Sequence, residues 1–454
     1  MNGARRQPNI LFIMADQFRW DFLGAMGAGF VHTPYLDMLA ADGTLFTHCF
    51  TNSPVCAPAR TGLATALQPV RMGHLDNHAF LPLRQPTYYQ RLRDYGYRVG
   101  CVGKLDLGKP DAYNGRYGDR PITYAWGFTH PEECEGKMHA GKGNPPNGPY
   151  TYWLAERGLV ERFTNDYRRR EEAGWLWAAA WDSVLPADAF EDAYIGSRAV
   201  EWLRWVPDDF PWHYLVSFVG PHNPFDPPWE YADRYRTADV PPAVNPEGQG
   251  KPVPVTETAT PAQIALCRRQ YCAAIEAIDD QIGRILAVLE ARGQRDNTVI
   301  VFASDHGEML GDHGRWTKGV FYEGSIRVPL LIAGPGLPRG ARTDALVELI
   351  DVNPTLCELA GVGAMPLTDA TSLLPLLRGE SEAVHDEVVS QIRSGRCIRT
   401  RDWKMIQGAG GHVELHDLAN DPDELRNVAD ARSDIVRRLS SRLTERYLEG
   451  ACLR

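Results

Sequence analysis

The sequence predicts an α/β protein with a mostly parallel β-sheet sandwiched by helices, followed by a small antiparallel sheet and a helix. Five short apolar runs have the length and the Ile, Val, Leu and Phe content of strands buried on both faces. These runs are residues 10–14, 99–102, 214–219, 299–303 and 329–333. Helical patterns lie between the runs, and this alternation favours parallel strands with helices on both faces of the sheet.

Polar residues of metal-ligand and anion-binding types follow four of these runs. Every strand must leave its sheet through a polar loop, so a single such exit is weak evidence for a site. Ligands of parallel sheets bind beyond the carboxyl ends of the strands, and four such exits therefore predict a site at one edge. The residues are Asp16 and Gln17 after the first run, Lys104 after the second, His222 after the third, and Asp305 and His306 after the fourth.

The clearest helix pattern begins at Thr260, an N-cap residue with Pro261 at the first helical position. Apolar residues then recur at helical spacing, which predicts one buried face, and the pattern ends at Gly293. These apolar residues are Ile275, Ile278, Ile282, Ile285 and Leu289.

Two regions lie outside the alternating pattern. Residues 110–189 lack a clear strand pattern and are rich in Gly, Pro, Tyr and Trp. We interpret them as an insertion that shapes a pocket, although such aromatic residues also pack insertions onto their domains. After residue 378, the stretches 387–392, 397–399, 404–407 and 413–415 resemble strands, and 433–447 resembles a helix. We therefore expect a large domain, residues 1–378, and a small C-terminal α+β subdomain, residues 379–454.

The composition is that of a soluble globular protein, with 44% hydrophobic and 23% charged residues among 454. The net charge of -10 comes from dispersed acidic residues, which argues against nucleic acid as a partner. The apolar run at residues 9–15 is too short for a signal peptide or a membrane span, so we expect a cytoplasmic protein without membrane association. The nine cysteines have irregular spacing, which indicates neither a disulfide framework nor a structural zinc site.

Residues 54–62, PVCAPARTG, contain the pattern C-x-P-x-R as Cys56, Pro58 and Arg60, followed by an apolar helical stretch through Leu67. Proline suits a first helical turn, and a helix that begins at Cys56 would present backbone N–H groups to an anion. The alternative is a buried structural cysteine before a helix, and so short a pattern does not decide between them.

Further motifs extend the pattern over nearly the whole chain. They are NILFIMADQ at 9–17, VGKLDLG at 102–108, GPHNPF at 220–225, SDHGEMLGDHG at 304–314, RTRDWKMI at 399–406 and ELHDLANDPDE at 414–424. Together with C-x-P-x-R, they resemble the type I sulfatases of the alkaline phosphatase superfamily. The resemblance implies that a maturation enzyme oxidises Cys56 to formylglycine. It also implies that the substrate is a small-molecule or carbohydrate sulfate ester.

The resemblance also implies a mechanism. Hydrated formylglycine is a geminal diol, so one hydroxyl attacks the sulfur and displaces the alcohol, and the covalent sulfate leaves when a base deprotonates the other hydroxyl. Arg60 would hold the diol through charge-assisted hydrogen bonds. Positions that bind the sulfate oxygens or protonate the leaving alcohol correspond to Lys104, His222 and Lys318, and a substrate-contacting asparagine corresponds to Asn77.

The same resemblance places one divalent metal ion between Asp16, Gln17, Asp305, His306 and the oxygen of modified Cys56. The family favours Ca2+ at this position. Here one amide and one imidazole accompany only two carboxylates, a change that moves the preference toward Mn2+ or Mg2+.

The chain departs from the family at Asp106, because sulfatases often have Lys-x-His where this sequence reads Lys104-Leu-Asp106. His222 alone, or Asp106, would then be the base of the elimination step. An ionised Asp106 would repel sulfate, so we expect it to hydrogen-bond Lys104 or a hydroxyl or amine of the substrate. That arrangement would suit a polar or cationic alcohol part, and His313 would also line the pocket.

Two alternatives are also compatible with the sequence. A phosphonate monoester or phosphodiester hydrolase of the same superfamily shares the metal-ligand set, although such enzymes usually lack a lysine at position 104. A catalytically silent binding protein on the same fold is the other alternative, because fold does not determine function. The sequence leaves open the alcohol part of the substrate and the choice between a monomer and a homo-oligomer.

Overall fold

The computed structural model describes residues 7–109, 114–249 and 259–451. The first residues of the chain and of the predicted insertion, 1–6 and 110–113, lie outside the described residues. The strands are β1 (Asn9–Asp16), β2 (Thr44–Phe50), β3 (Arg98–Gly103), β4 (His130–Glu133), β5 (Trp212–Pro221), β6 (Thr298–Ser304), β7 (Arg327–Ala333), β8 (Ala341–Thr343), β9 (Val347–Glu348), β10 (Glu387–Ile392), β11 (Gly395–Thr400), β12 (Trp403–Gly408) and β13 (Val413–Asp417).

Helices connect most of these strands, and short 3-10 turns supplement them. The α-helices are α1 (Pro34–Asp42), α2 (Cys56–Thr65), α3 (Pro69–Met72), α4 (Tyr88–Asp94), α5 (Pro121–Ala125), α6 (Lys137–Ala140), α7 (Pro149–Glu156), α8 (Val160–Glu172), α9 (Glu191–Trp205), α10 (Trp229–Ala232), α11 (Pro261–Ala291), α12 (Glu323–Ile326), α13 (Val352–Leu359), α14 (Leu374–Leu377) and α15 (Ser433–Ala451). Among the described residues, no helix combines the length and the apolar character needed to cross a membrane.

The large sheet has the order β4-β3-β5-β1-β6-β7-β2-β8, with β9 also paired to β2. Its pairs are parallel except for β7, which is antiparallel to both of its neighbours, β6 and β2. The predicted mostly parallel sheet is therefore confirmed, with one strand reversed. Between β6 and β7 the described chain forms only the 3-10 turn Asp312–Gly314 and the four-residue α12, and it has no long crossover helix of the kind that usually connects parallel strands.

The five apolar runs predicted as strands all lie in this sheet, and β1 occupies its centre between β5 and β6. Alternate residues of β1 belong to different hydrophobic clusters, with Leu11 and Ile13 in one and Ile10 and Phe12 in the other. This two-sided burial is what a continuous apolar strand requires. Helices α9 and α11 cover one face of the sheet, whereas α2, α4 and α13 cover the other.

Helix α11 begins and ends close to the predicted positions. The Thr260 side chain accepts a hydrogen bond from the Gln263 backbone N–H, completing a capping box with Pro261 at the first helical position. The helix ends at Ala291, and Gly293 follows with a φ of 61°, a left-handed conformation that favours glycine.

The insertion contains one strand that its sequence does not predict. Strand β4, with the sequence HPEE, pairs in parallel with β3 at the edge of the large sheet. Its polar composition gives no strand pattern, so its strand conformation depends on pairing with β3 rather than on a local sequence signal. Helix α6 follows shortly afterwards and reaches the carboxyl edge of the sheet.

The C-terminal strands β10 to β13 form the predicted antiparallel sheet in sequential order. Helix α15 packs on one face of this sheet through Ile435, Leu439 and Leu443. The other face contacts the main body, where Val388 and Ile392 pack in a cluster with Phe50. The division between residues 378 and 379 stays a prediction.

Candidate active site

The carboxyl ends of four neighbouring strands and the first turn of α2 meet at one edge of the large sheet. Asp16 is the last residue of β1, and Asp305 directly follows β6. Lys104 directly follows β3, and His222 directly follows β5. Cys56 is the first residue of α2. The strand exits singled out in the sequence therefore lie together.

A cluster of potential metal ligands lies at the centre of this edge. One ligand atom from each of four buried residues lies within 4.8 Å of the others. The Cys56 Sγ is 3.1 Å from His306 Nε2 and 3.8 Å from Asp16 Oδ1. His306 Nε2 is 3.7 Å from a carboxylate oxygen of both Asp16 and Asp305. Two carboxylates and an imidazole at such separations form a donor set suited to a divalent cation.

Gln17 borders this cluster, and its backbone has a φ of 71°, in the left-handed region. Its backbone N–H donates to Asp305 Oδ1 at 3.0 Å, so that carboxylate is held from the end of the neighbouring strand. The Gln17 amide oxygen accepts a hydrogen bond from Lys318 Nζ, while its amide nitrogen donates to Glu308. Gln17 thus connects the carboxylate cluster to Lys318.

Arg60, one turn into α2, joins several strand ends. Its Nε donates to Asp305 Oδ2 at 2.8 Å, and its Nη1 donates to Ser217 Oγ at 2.8 Å. Its Nη2 lies 3.9 Å from Asp16 Oδ2 and has no hydrogen-bond partner among the described residues. Burial alone would lower the pKa of Arg60, but Asp305 and Asp16 raise it, so the guanidinium is charged.

The first turn of α2 carries the candidate nucleophile. Val55 has extended backbone angles and the helix begins at Cys56, so the backbone N–H groups of the first turn lack helical partners. Asn77 Oδ1 accepts one of these, the Ala57 N–H, at 3.2 Å. Burial and Asp16 raise the pKa of the Cys56 thiol, but Lys104, Lys109 and Lys318 outweigh them and lower it to about 6. Residue 56 therefore lies in a locally positive environment.

Lys104 and Asp106 form an ion-pair chain beside the cluster. The Lys104 ammonium contacts Asp16 and also lies 3.2 Å from Asp106 Oδ2. Asp106 Oδ2 accepts a second charged hydrogen bond, from Lys109 Nζ, at 2.7 Å. Burial would raise the pKa of Asp106, but the two lysines outweigh it and hold that pKa below its usual range. Asp106 is thus an ionised carboxylate shared between two lysines.

Lys104 reaches this position because Gly103 lets β3 approach β5 closely. A Cβ at residue 103 would lie 1.9 Å from the Ser217 backbone oxygen, and the φ of 97° is one that favours glycine. The Lys104 backbone N–H then donates to that same oxygen at 3.0 Å.

His222 faces Lys318 across the site. Its Nδ1 hydrogen-bonds the Asn223 carbonyl, and its Nε2 lies 2.7 Å from the Lys318 ammonium. Because an ammonium can only donate, Nε2 is the acceptor and the ring is neutral. Burial and Lys318 lower the pKa of His222 well below its ordinary value, in agreement with this assignment.

A cavity of about 340 Å3 opens onto this site from solvent. It receives side chains from three strand exits, from the segment around Asn77 and from the insertion at α6. Its lining consists of Asp16, Asn77, Lys104, Asp106, Lys109, Gly136, Lys137, Met138, His139, His222, Asn223, Thr317 and Lys318.

His313 does not line this cavity, in contrast to the expectation from its motif. It lies in the 3-10 turn Asp312–Gly314 with a φ of 53°, and its ring packs on Tyr322 at 4.4 Å between centroids. Its backbone N–H donates to the Val244 carbonyl. The turn therefore directs His313 toward Tyr322 rather than toward the pocket.

Several residues of the site had no individual assignment from the sequence. Asn223 and Glu308 lie inside quoted motifs, and their polar character was a usable signal there. Lys109, Lys137 and His139 lie in stretches without a strand or helix pattern, so their convergence depends on how the insertion folds. The predicted role of the insertion in shaping the pocket thus applies to α6. Its tryptophans at 153, 175 and 177 pack against the hydrophobic core, and Trp126 is buried.

Comparison with known proteins places this site in a family. Residues 8–362 match the sulfatase family, and residues 311–449 match the C-terminal region described as N-sulphoglucosamine sulphohydrolase. The chain is 31% identical to a choline-sulfatase of Rhizobium meliloti (strain 1021), over 93% of this chain and 83% of that protein. It is 27% identical to an arylsulfatase of Clostridium perfringens (strain 13 / Type A), over 98% of this chain and 96% of that protein.

Among solved structures, a phosphonate monoester hydrolase of Agrobacterium radiobacter superposes with a TM-score of 0.81 and is 29% identical. That superposition covers 98% of this chain and 96% of the other. The sulfatase match spans most of the chain and includes the strand ends and the first turn of α2 described above. The chain therefore belongs to the sulfatase family of the alkaline phosphatase superfamily and is an enzyme of the sulfuric ester hydrolase class.

Proposed function

We propose that this enzyme hydrolyses a sulfate monoester with residue 56 as the nucleophile, after Cys56 has been oxidised to formylglycine. The observation that carries the proposal is the position of Cys56 Sγ, 3.1 Å from His306 Nε2, within the buried carboxylate and imidazole cluster. The sulfur marks the place that the formylglycine oxygen would occupy. One hydroxyl of the hydrated aldehyde would attack the sulfur and displace the alcohol, and deprotonation of the second hydroxyl would then expel the sulfate and regenerate the aldehyde.

The donor set fits one divalent metal ion. Asp16, Asp305 and His306 would hold it, together with Gln17 and the oxygen of residue 56. All four of these side chains are buried, so an ion would replace the hydration that the carboxylates lack. Such an ion would polarise the oxygens bound to it and stabilise negative charge in the transition state. The family favours Ca2+, whereas the imidazole and amide donors favour Mn2+ or Mg2+.

Lys104 and Lys318 would bind the oxygens of the sulfate. The described partners of the Lys318 ammonium are the neutral Gln17 amide and the neutral His222 ring, so its charge is available to an anion. The side chain of Arg60 also has a hydrogen-bond donor to offer, since Nη2 is buried without a described partner. Fixed cations that point at the position of developing charge lower the reaction barrier.

His222 would transfer the protons. Its ring is neutral, and Nε2 carries a lone pair that a proton can occupy. The Lys318 ammonium donates a hydrogen bond to that lone pair, and a bound sulfate would attract the ammonium away from it. Asp106 is the weaker candidate for a base, because its two lysines stabilise its ionised form.

The second candidate function is phosphonate monoester hydrolysis, favoured by the likeness to the phosphonate monoester hydrolase structure. Both reactions pass through anionic transition states that the same cations could stabilise. The discriminating experiment measures kcat/KM for 4-nitrophenyl sulfate and 4-nitrophenyl phenylphosphonate with protein co-produced with a formylglycine-generating enzyme.

We expect the matured protein to prefer the sulfate, and Cys56→Ala to lose that turnover without a change in circular dichroism. A preference for the phosphonate would assign the second candidate function. Sulfate turnover retained by Cys56→Ala would exclude residue 56 as the nucleophile.

A further inference from the structure

The cavity contains more positive charge than one sulfate group requires. Four lysines line it, together with the carboxylates Asp16 and Asp106. Lys137 is committed elsewhere, since its ammonium pairs with Asp226 and donates to two backbone carbonyls. Among the described lining residues, three lysines therefore face two carboxylates, and Asp16 is also a proposed metal ligand. The four lysines are Lys104, Lys109, Lys137 and Lys318.

Lys109 is the lysine that the proposed reaction leaves unused. Its side chain is 18% exposed, compared with 6% for Lys104, so it lies nearer to the mouth of the cavity. Its partner Asp106 is shared with Lys104, and one carboxylate therefore faces two ammonium groups. Because the surrounding protein limits access of water, this excess positive charge acts strongly on a bound ligand.

The insertion adds a neutral donor to the same mouth. Met138 and His139 of α6 line the cavity, and the His139 ring is half-buried. Burial and the nearby Lys109 lower the pKa of His139, so its ring is neutral at physiological pH. A neutral imidazole presents one N–H, which can donate to an anion held by Lys109.

The described lining is poorly suited to a cationic alcohol part. None of the described lining residues is Phe, Tyr or Trp, and quaternary ammonium groups are usually bound by aromatic faces. Asp106 is already engaged by two lysines, so a cation would have to displace one of them. The structure thus disfavours the cationic substrate that Asp106 suggested in the sequence.

We propose that Lys109 and His139 form a second anion-binding position at the mouth of the cavity. The preferred substrate is then a sulfate monoester whose alcohol part carries a further negative group, a carboxylate or a second sulfate. This inference rests on the proposed sulfate hydrolysis, and it assigns Lys109 as a specificity-determining residue.

The test uses three phenyl sulfates that differ only in a meta substituent, namely carboxylate, carboxamide and trimethylammonium. The ratio of kcat/KM between the carboxylate and the carboxamide substrate is measured for the matured wild type and for Lys109→Met. Removing one charge-assisted hydrogen bond should lower this ratio about tenfold and raise the relative rate of the trimethylammonium substrate. The carboxamide reports any general effect of the substitution on the site.

Lys142→Met is the matched control. Lys142 belongs to the same insertion, but its side chain is 60% exposed, and it pairs with Glu171 at 3.2 Å. Its removal should leave the relative kcat/KM values of the three substrates unchanged. In the wild type, added salt should reduce the preference for the carboxylate substrate, because a partly exposed charge is screened.

The possible results separate the two proposals. The matured enzyme could hydrolyse all three sulfates with kcat/KM ratios that change neither with Lys109→Met nor with added salt. That result would overturn the second anion-binding position and leave the sulfatase proposal intact. Equal effects of the two lysine substitutions would also overturn it. Failure of the matured wild type to hydrolyse any of the three sulfates would overturn the proposed function and this inference together.

Discussion

Replacing Lys137 with methionine removes a buried cation that holds the loop carrying His222. The Lys137 ammonium donates to the His222 carbonyl at 3.0 Å and to the Pro224 carbonyl at 2.8 Å, and it pairs with Asp226. The side chains of Lys137 and Asp226 are only 2% and 1% exposed. The substitution therefore leaves a buried carboxylate without its counter-charge and two carbonyls without their donor.

The structure sets the size of the expected effect. Breaking a buried ion pair by removing one partner destabilises a protein by about 3–5 kcal/mol. Tyr167 still donates to Asp226 Oδ2 at 2.9 Å, which places the estimate toward the lower end of that range. Burial raises the pKa of Asp192 to about 6 and the charge of Lys137 opposes that rise, so the lost cation stabilises a second carboxylate as well. The same change should lower kcat more than it raises KM, because His222 is displaced while the sulfate-binding lysines remain.

The assay combines thermal unfolding with steady-state kinetics for Lys137→Met, Asp226→Asn and the double variant. Removal of the Asp226 carboxylate together with the lysine should recover at least half of the lost stability, because the carboxylate that Lys137 contacts directly is then no longer left charged and unpaired. Recovered stability with persistently low kcat would support a positioning role for Lys137. A loss below about 1 kcal/mol, or a double variant no more stable than Lys137→Met, would refute the reasoning.

Two further predictions concern pH and metal. Burial raises the pKa of Asp279 to about 7, although its carboxylate accepts the backbone N–H groups of Tyr35 and Leu36. Between the unfolded-state pKa of about 4 and this value the folded protein holds the extra proton, so stability falls as pH rises, by up to ~4 kcal/mol at pH 7. The thermal midpoints of the wild type and of Asp279→Asn, measured from about pH 4.5 to 7.5, should converge at the acidic end. Midpoints that differ by the same amount at every pH would contradict the raised pKa of Asp279. Chelation should lower both turnover and the thermal midpoint, and added Ca2+, Mn2+ or Mg2+ should restore them. Asp305→Asn should weaken this response to chelation. A wild-type protein whose turnover and thermal midpoint do not change on chelation would exclude the metal.

The fold was predictable wherever local pattern and tertiary environment agree. The central strands are apolar because both faces are buried, and α11 has its cap residue and its apolar stripe in the sequence. Strand β4 has neither signal, since it lies at the sheet edge and is positioned by pairing with β3. The reversal of β7 was also not predictable, because strand direction depends on the length and path of the preceding connection.

The site was predictable to a similar degree. Asp16, Lys104 and Asp305 come together because parallel strands end at a common edge, so their spacing along the chain is irrelevant. Lys109 and His139 line the same cavity only because of the path of a loop and of α6, which no periodicity reveals. For His313 the sequence was misleading. Its motif predicted a place in the pocket, whereas the left-handed turn directs its ring onto Tyr322.

The central claim is that modified residue 56 performs the reaction, and one measurement tests it directly. Protein batches with different extents of maturation are digested, and mass spectrometry gives the fraction of the peptide around residue 56 that carries an aldehyde in place of the thiol. We expect sulfate turnover per molecule to rise in proportion to that fraction and to approach zero when only the thiol is present. Undiminished turnover in protein that contains only the thiol would contradict the account.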